Sequence, residues 1–148
     1  MNKLLLILFF LTGTILISCK KNNDSDPGNN TALLTSRAWV IQKNEVQQQA
    51  GGPWIDFWSS EPDCERDNKW IFKEDLSLEL NESLLSCSGN QANDVLDVLR
   101  WAFLNNEKDI EIDNVVFKIE LLNVNSLIIS RSESILGIVS SLKITYGH

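Results

Sequence analysis

The chain holds one histidine, three cysteines and twenty acidic residues, and their placement limits the chemistry it can do. His148 is the final residue, a position where side chains are seldom held. A general base must sit within hydrogen-bond reach of the proton it removes, so no Ser-His-Asp site is expected. Neither a Gly-x-Ser-x-Gly turn nor a glycine-rich phosphate loop occurs, and Cys64 and Cys87 have no His nearby in the sequence to generate a thiolate. Asp63, Glu65 and Asp67 alternate, so an extended chain would project three carboxylates to one side, as a hard cation requires. The plainer reading is a solvated acidic entrance to a strand, partly balanced by Arg66 and Lys69, because neither EF-hand spacing nor a turn glycine accompanies them. Nothing points to a carboxylate pair for glycoside hydrolysis. No catalytic residue, metal ligand or cofactor is assigned, and the chain is expected not to be an enzyme.

A different signal lies in GGPWIDFWSSEPDC, residues 51–64. Its Gly-Gly-Pro opening and Ser-Ser-Glu-Pro close read as loop, yet Trp54, Phe57 and Trp58 each carry on the order of 150 Å² of surface to bury. Left in water together they would form an adhesive patch. Three fates are open: they complete a core, they gate a cavity for an apolar ligand, or they dock a partner.

The elements that would position these residues begin after an N-terminal address. Residues 1–18, MNKLLLILFFLTGTILIS, place one charge, Lys3, ahead of an apolar run, the layout of a secretory signal. The following Leu16-Ile17-Ser18-Cys19 resembles the lipobox of bacterial lipoproteins. That resemblance implies cleavage before Cys19 and acylation of its thiol, and several acyl chains make membrane attachment effectively permanent. Residues 19–31 then read as a lipidated Cys and a flexible linker, too polar to offset the entropy of ordering. Lys20, where the resembled lipoproteins carry Asp for inner-membrane retention, implies an outer-membrane location. Asp24 and Asp26 bear a weak likeness to surface-export signals, so the periplasmic face and the cell surface both stay open.

The net charge of −7 becomes −8 when Lys3 leaves with the signal. An acidic chain without a basic patch is a poor ligand for nucleic acid phosphates, so the expected partners are the membrane, through the lipid, and a small apolar molecule, with the domain itself a monomer. In an oxidising compartment the two remaining cysteines, Cys64 and Cys87, are expected to form a disulfide, the alternative being two separate buried thiols.

Residues 32–148 are about the right length for one domain with one core. Period-two alternation dominates them, most cleanly in Leu76-Ser77-Leu78-Glu79-Leu80. The same pattern places eight strands, near 38–48, 67–73, 76–82, 99–105, 108–113, 115–122, 126–132 and 140–147, with 89–98 as a loop. A helical turn at Thr31–Leu34 is expected to plug one end with Leu33 and Leu34. Tight links such as Asp113-Asn114 join neighbours as antiparallel hairpins, and eight such strands with one apolar face each close into an up-and-down barrel. The fold class is therefore all-β, an eight-stranded antiparallel barrel. By parity its inward face holds Trp39, Trp70, Phe72, Trp101, Phe103, Phe117 and Tyr146, along with Leu76 and Leu121. With Trp54, Phe57 and Trp58 as a lid, these aromatics are the candidate ligand-binding set, or else simply the core.

The succession of Leu34, Trp39, Asp63-Cys64-Glu65-Arg66-Asp67, Trp70-Ile71-Phe72-Lys73 with Asp75, Cys87, Trp101, Glu120-Leu121-Leu122, Ser126-Leu127-Ile128-Ile129 and Ile144-Thr145-Tyr146 resembles the lipocalin-like domain of bacterial lipoproteins. The resemblance implies the same eight-stranded barrel and matches Cys64 and Cys87 to that family's paired cysteines. Residues 89–98 are longer than that family's usual link, and two positions also depart from it. Arg37 stands where the family has Gly, and Leu76 occupies the turn position of another Gly; because Leu resists positive φ, that turn is expected to be built differently.

Overall fold

Residues 29–148 are described by the structure, a computed structural model. The signal segment, Cys19 and the linker through residue 28, with Lys20, Asp24 and Asp26, lie outside the described residues. Helix α1 (Asn29–Thr35) starts a little before the expected domain boundary. Thr35 Oγ1 donates back to the Thr31 carbonyl within the helix, and Ser36 Oγ donates to that of Leu33, a carbonyl the helix end leaves free. The Leu34 carbonyl instead accepts the indole N–H of Trp39 at 2.8 Å, which turns the chain directly into the first strand. Leu34 is fully buried, whereas Leu33 is only half-buried, so one of the two expected plug residues carries that role.

Nine strands follow: β1 (Trp39–Gln47), β2 (Ile55–Asp56), β3 (Lys69–Phe72), β4 (Ser77–Asn81), β5 (Val95–Leu104), β6 (Asp109–Ile112), β7 (Val115–Leu122), β8 (Leu127–Ile135) and β9 (Ile138–Gly147). Each pairs antiparallel with its neighbour, and β1 pairs with β9 from Val40↔Gly147 to Gln47↔Ser141, which closes the ring. The count of nine still makes an eight-staved barrel. β2 and β3 run along the same edge of β1, one opposite Glu45 and Val46, the other opposite Trp39 and Val40, so they are two halves of one broken stave. Between them the chain makes an excursion through a 3₁₀ turn (Trp58–Ser60) and a one-turn helix α2 (Asp63–Arg66).

Several expectations need correction. The 89–98 loop is shorter than expected, because β5 already begins at Val95 and pairs with Asn81. In β1 the register slips between Ile41 and Lys43, and in β7 between Ile119 and Leu121. Each extra residue reverses the alternation beyond it, so Leu121 turns outward and Leu122 packs on the core in its place. Leu76 is also exposed, and its φ of 65° puts it in the left-handed region. The turn is the ordinary one after all, with Leu in the glycine position: the Leu76 N–H reaches the Lys73 carbonyl, and the Lys73 N–H reaches that of Ser77. Asp75 Oδ1 accepts both the N–H and the hydroxyl of Ser77, and the hydroxyl bond first, then the N–H bond, hold this carboxyl below its ordinary range.

The strand directions divide the barrel into a base, which holds α1 and the turns after β3, β5 and β7, and a mouth, which holds the β1–β2, β4–β5, β6–β7 and β8–β9 links. Cys64 and Cys87 form a disulfide with Cα atoms 5.4 Å apart, tying the excursion to the β4–β5 loop. Asp67 Oδ2 strengthens this tie by accepting the N–H groups of Leu84 and Leu85.

Candidate functional site at the barrel mouth

The deep interior is filled by the side chains that parity placed there. Trp39, Phe72 and Tyr146 are fully buried, Trp101 and Phe117 nearly so, and Trp70 and Phe103 pack against them from partly buried positions. Phe72 meets Trp101 edge-on with ring centroids 5.6 Å apart, Trp101 meets Phe103 at 5.3 Å and Trp70 meets Tyr146 at 5.9 Å. Such T-shaped contacts suit the ring quadrupoles. The indole of Trp101 donates to the Lys73 carbonyl at 3.1 Å, so this ring braces the β3–β4 turn as well. Burial drives the Tyr146 phenol well above its ordinary value. These seven therefore form or flank one core, and Trp58 joins them as the eighth of the ten candidate aromatics. His148 is held too: its ring lies 4.3 Å from that of Trp39 and its Nδ1 is 2.7 Å from the Ala38 carbonyl.

The three loop aromatics separate from one another. Trp58 packs on the core, and its indole N–H donates to the Ile41 carbonyl at 2.7 Å. Nearby, the Phe57 N–H reaches the Asn44 carbonyl at 2.9 Å, and Asp56 Oδ1 accepts the N–H groups of Asn44 and Trp58. These bonds serve the part of β1 that the broken stave leaves without a strand neighbour. Trp54 and Phe57 do not finish the core. Trp54 remains 39% exposed beside the β9 ammonium of Lys143, 4.3 Å from the ring centroid, and Phe57 is 46% exposed. Lys143 also pairs with Glu45 on β1 at 3.0 Å, which places Trp54 over the outer wall rather than in the opening.

The inner wall near the mouth is more polar than the sequence suggested. β8 continues the inward alternation of Leu127 and Ile129 with Arg131 and Glu133, and β9 contributes Ser140 above Leu142. Arg131 pairs with Glu133 at 2.5 Å, and its guanidinium lies 5.8 Å from the centre of the Phe117 ring. With Val46 these residues line an open cleft of about 220 Å³. At the base, another open groove of about 520 Å³ lies between α1 and the β5–β6 and β7 segments, lined largely by charged and amide side chains such as Asn30, Glu107 and Lys118.

The acidic trio does not share a face. Asp63 and Glu65 sit in α2, where Asp63 pairs with Arg66, Glu65 accepts from Asn68 at 3.4 Å, and Asp67 caps the β4–β5 loop. Sequence reasoning missed Arg131 and Glu133, although Arg131-Ser132-Glu133 continues the alternation of Leu127-Ile128-Ile129; reading parity past the last apolar residue would have found them.

Apolar side chains ring the mouth from outside. Leu136, at the tip of the β8–β9 hairpin with φ 53°, is 99% exposed; Leu84, Val95, Val98 and Ile138 also face water. Among the described residues no helix is long and apolar enough to cross a membrane. No protein-family model matches the chain, and no curated protein matches it.

Proposed function

We propose that this protein is an outer-membrane lipoprotein, anchored through Cys19, whose monomeric barrel acts without catalysis as an interaction module of the cell envelope. The lipocalin-like resemblance and the signal layout support the anchor. The packed interior supports the module: Leu34, Trp39, Phe72, Trp101 and Tyr146 occupy the volume that a carried molecule would need. An eight-stranded barrel is narrow enough for side chains alone to fill it. Recognition then falls to the mouth, where apolar side chains stand in water.

A second reading, carriage of a small apolar molecule, draws support from the open cleft of about 220 Å³ at the mouth, whose apolar lining is Val46 and Leu142. Native mass spectrometry of the chain extracted from membranes separates the two readings. The module reading expects the mass of the polypeptide with its acyl groups and no more; a small molecule retained in stoichiometric amount sinks it. Replacing Cys19 with Ser tests the anchor, and the reading requires the variant to leave the membrane fraction.

A further inference from the structure

The barrel wall is uneven. β5 rises well above the short β6–β7 hairpin, whose turn at Asp113-Asn114 lies just past the Trp101↔Ile112 pair. Above that level Val95–Arg100 pair with β4 on one side, and among the described residues no strand pairs with their other side. Across the gap the β7–β8 ladder stops at Lys118↔Ser130, while β8 continues to Ile135 on β9. The result is a notch in the mouth, floored by the β6–β7 turn and flanked by two strand edges.

One of those edges shows what it lacks. The Arg100 carbonyl, on the notch side, accepts the Asp113 N–H at 2.9 Å. Two residues along, Val98 turns its N–H the same way, since strand groups alternate in direction. With no strand beside it, that N–H is held by the carboxylate of the adjacent Asp97 at 2.8 Å. The carboxylate stands where the carbonyl of a neighbouring strand would lie. Val98 itself is 57% exposed, with Val95 beside it also in water. Unpaired edge groups at strand spacing are matched by another extended backbone and by little else.

We propose that the Val95–Leu99 edge of β5 receives an extended segment of a partner protein, which adds as a strand in the notch. The proposal rests on the interaction reading above and names the kind of partner. A carbonyl of the incoming segment takes the Val98 N–H and releases Asp97. The segment alternates, with an apolar residue beside Val98 on the outer face and a basic residue reaching Asp97. Charge around the notch agrees: with Arg131 and Glu133 neutralising each other, Asp94, Asp97 and Asp113 outnumber Arg100.

The test uses the full chain in a nonionic detergent and a fluorescent seven-residue peptide of alternating Lys and Val. Saturable anisotropy is expected, together with slowed hydrogen exchange at the Val98 amide. Val98→Pro removes the edge N–H at a position where an edge strand accepts proline, and should weaken binding at least tenfold; Ser134→Pro on the β8 edge should leave it unchanged. A peptide N-methylated at alternate bonds on its pairing side should also bind at least tenfold more weakly to the unaltered protein, which decides the matter even where Val98→Pro fails to fold. No saturable binding of the unmodified peptide, equal binding of the methylated peptide, or full binding by a folded Val98→Pro protein overturns the proposal. Those results leave the interaction reading standing, whereas a small molecule retained in native mass spectrometry removes that reading whatever the peptide does.

Discussion

Leu76 occupies a left-handed position that costs an L-residue about 1–2 kcal/mol, and its side chain gains little in return because it is 47% exposed. Leu76→Gly is therefore expected to stabilise the fold by about 1 kcal/mol, after allowance for the greater freedom of Gly in the unfolded chain; urea denaturation followed by tryptophan fluorescence measures it. Tyr146 makes a second residue-scale prediction, and as the only tyrosine it can be followed alone by absorbance. Burial raises its folded pKa above the ordinary value of 10.0. An unfolded chain loses this proton near pH 10 while the native state retains it, so stability present below pH 10 falls as pH rises beyond it. Phenolate absorbance should appear together with loss of near-ultraviolet circular dichroism, and an earlier, separate titration would show the phenol to be accessible.

At the scale of elements, the broken stave explains why a loop carries tryptophan. Where β2 has ended and β3 has not begun, β1 would present unpaired backbone groups, and the Trp58 indole serves one of them at Ile41. Trp58→Phe keeps most of the packing and leaves that carbonyl unpaired, so a loss of about 1–3 kcal/mol is expected in chemical denaturation, with faster amide exchange in β1 between Ile41 and Asn44. The alternation of Leu76 to Leu80 announced β4 because one wet face and one dry face recur at every second residue. The bulges in β1 and β7 left no such mark: a one-residue slip depends on pairing across the sheet, which no local pattern records. The start of β5 was hidden for a related reason, since its upper half is flanked on one side only and Asn93-Asp94 with Asp97 reads as polar loop. Leu76 misled in the opposite direction, because the hydrogen bonds of its turn outweigh the reluctance of Leu to take positive φ.

For the whole molecule, ring closure was legible from the short connections, which leave antiparallel neighbours as the only partners. The division of the interior into a filled base and a polar mouth was not, because it depends on how far each strand rises past its neighbours. The Cys64–Cys87 bridge spans 23 residues, and loop-closure entropy assigns it about 3–4 kcal/mol. Cys64→Ser with Cys87→Ser is expected to lower stability by that amount in guanidinium denaturation while the barrel still closes, since the β1–β9 seam lies elsewhere in the chain.

That seam has a cost in time. Val40 and Gly147 are neighbours in space but nearly the whole domain apart along the chain, and contacts between such distant segments form slowly. Until they meet, a newly made chain carries two naked borders that any passing strand can join. The yield of folded protein then depends on crowding and on chaperone cover during those first moments as much as on the finished architecture.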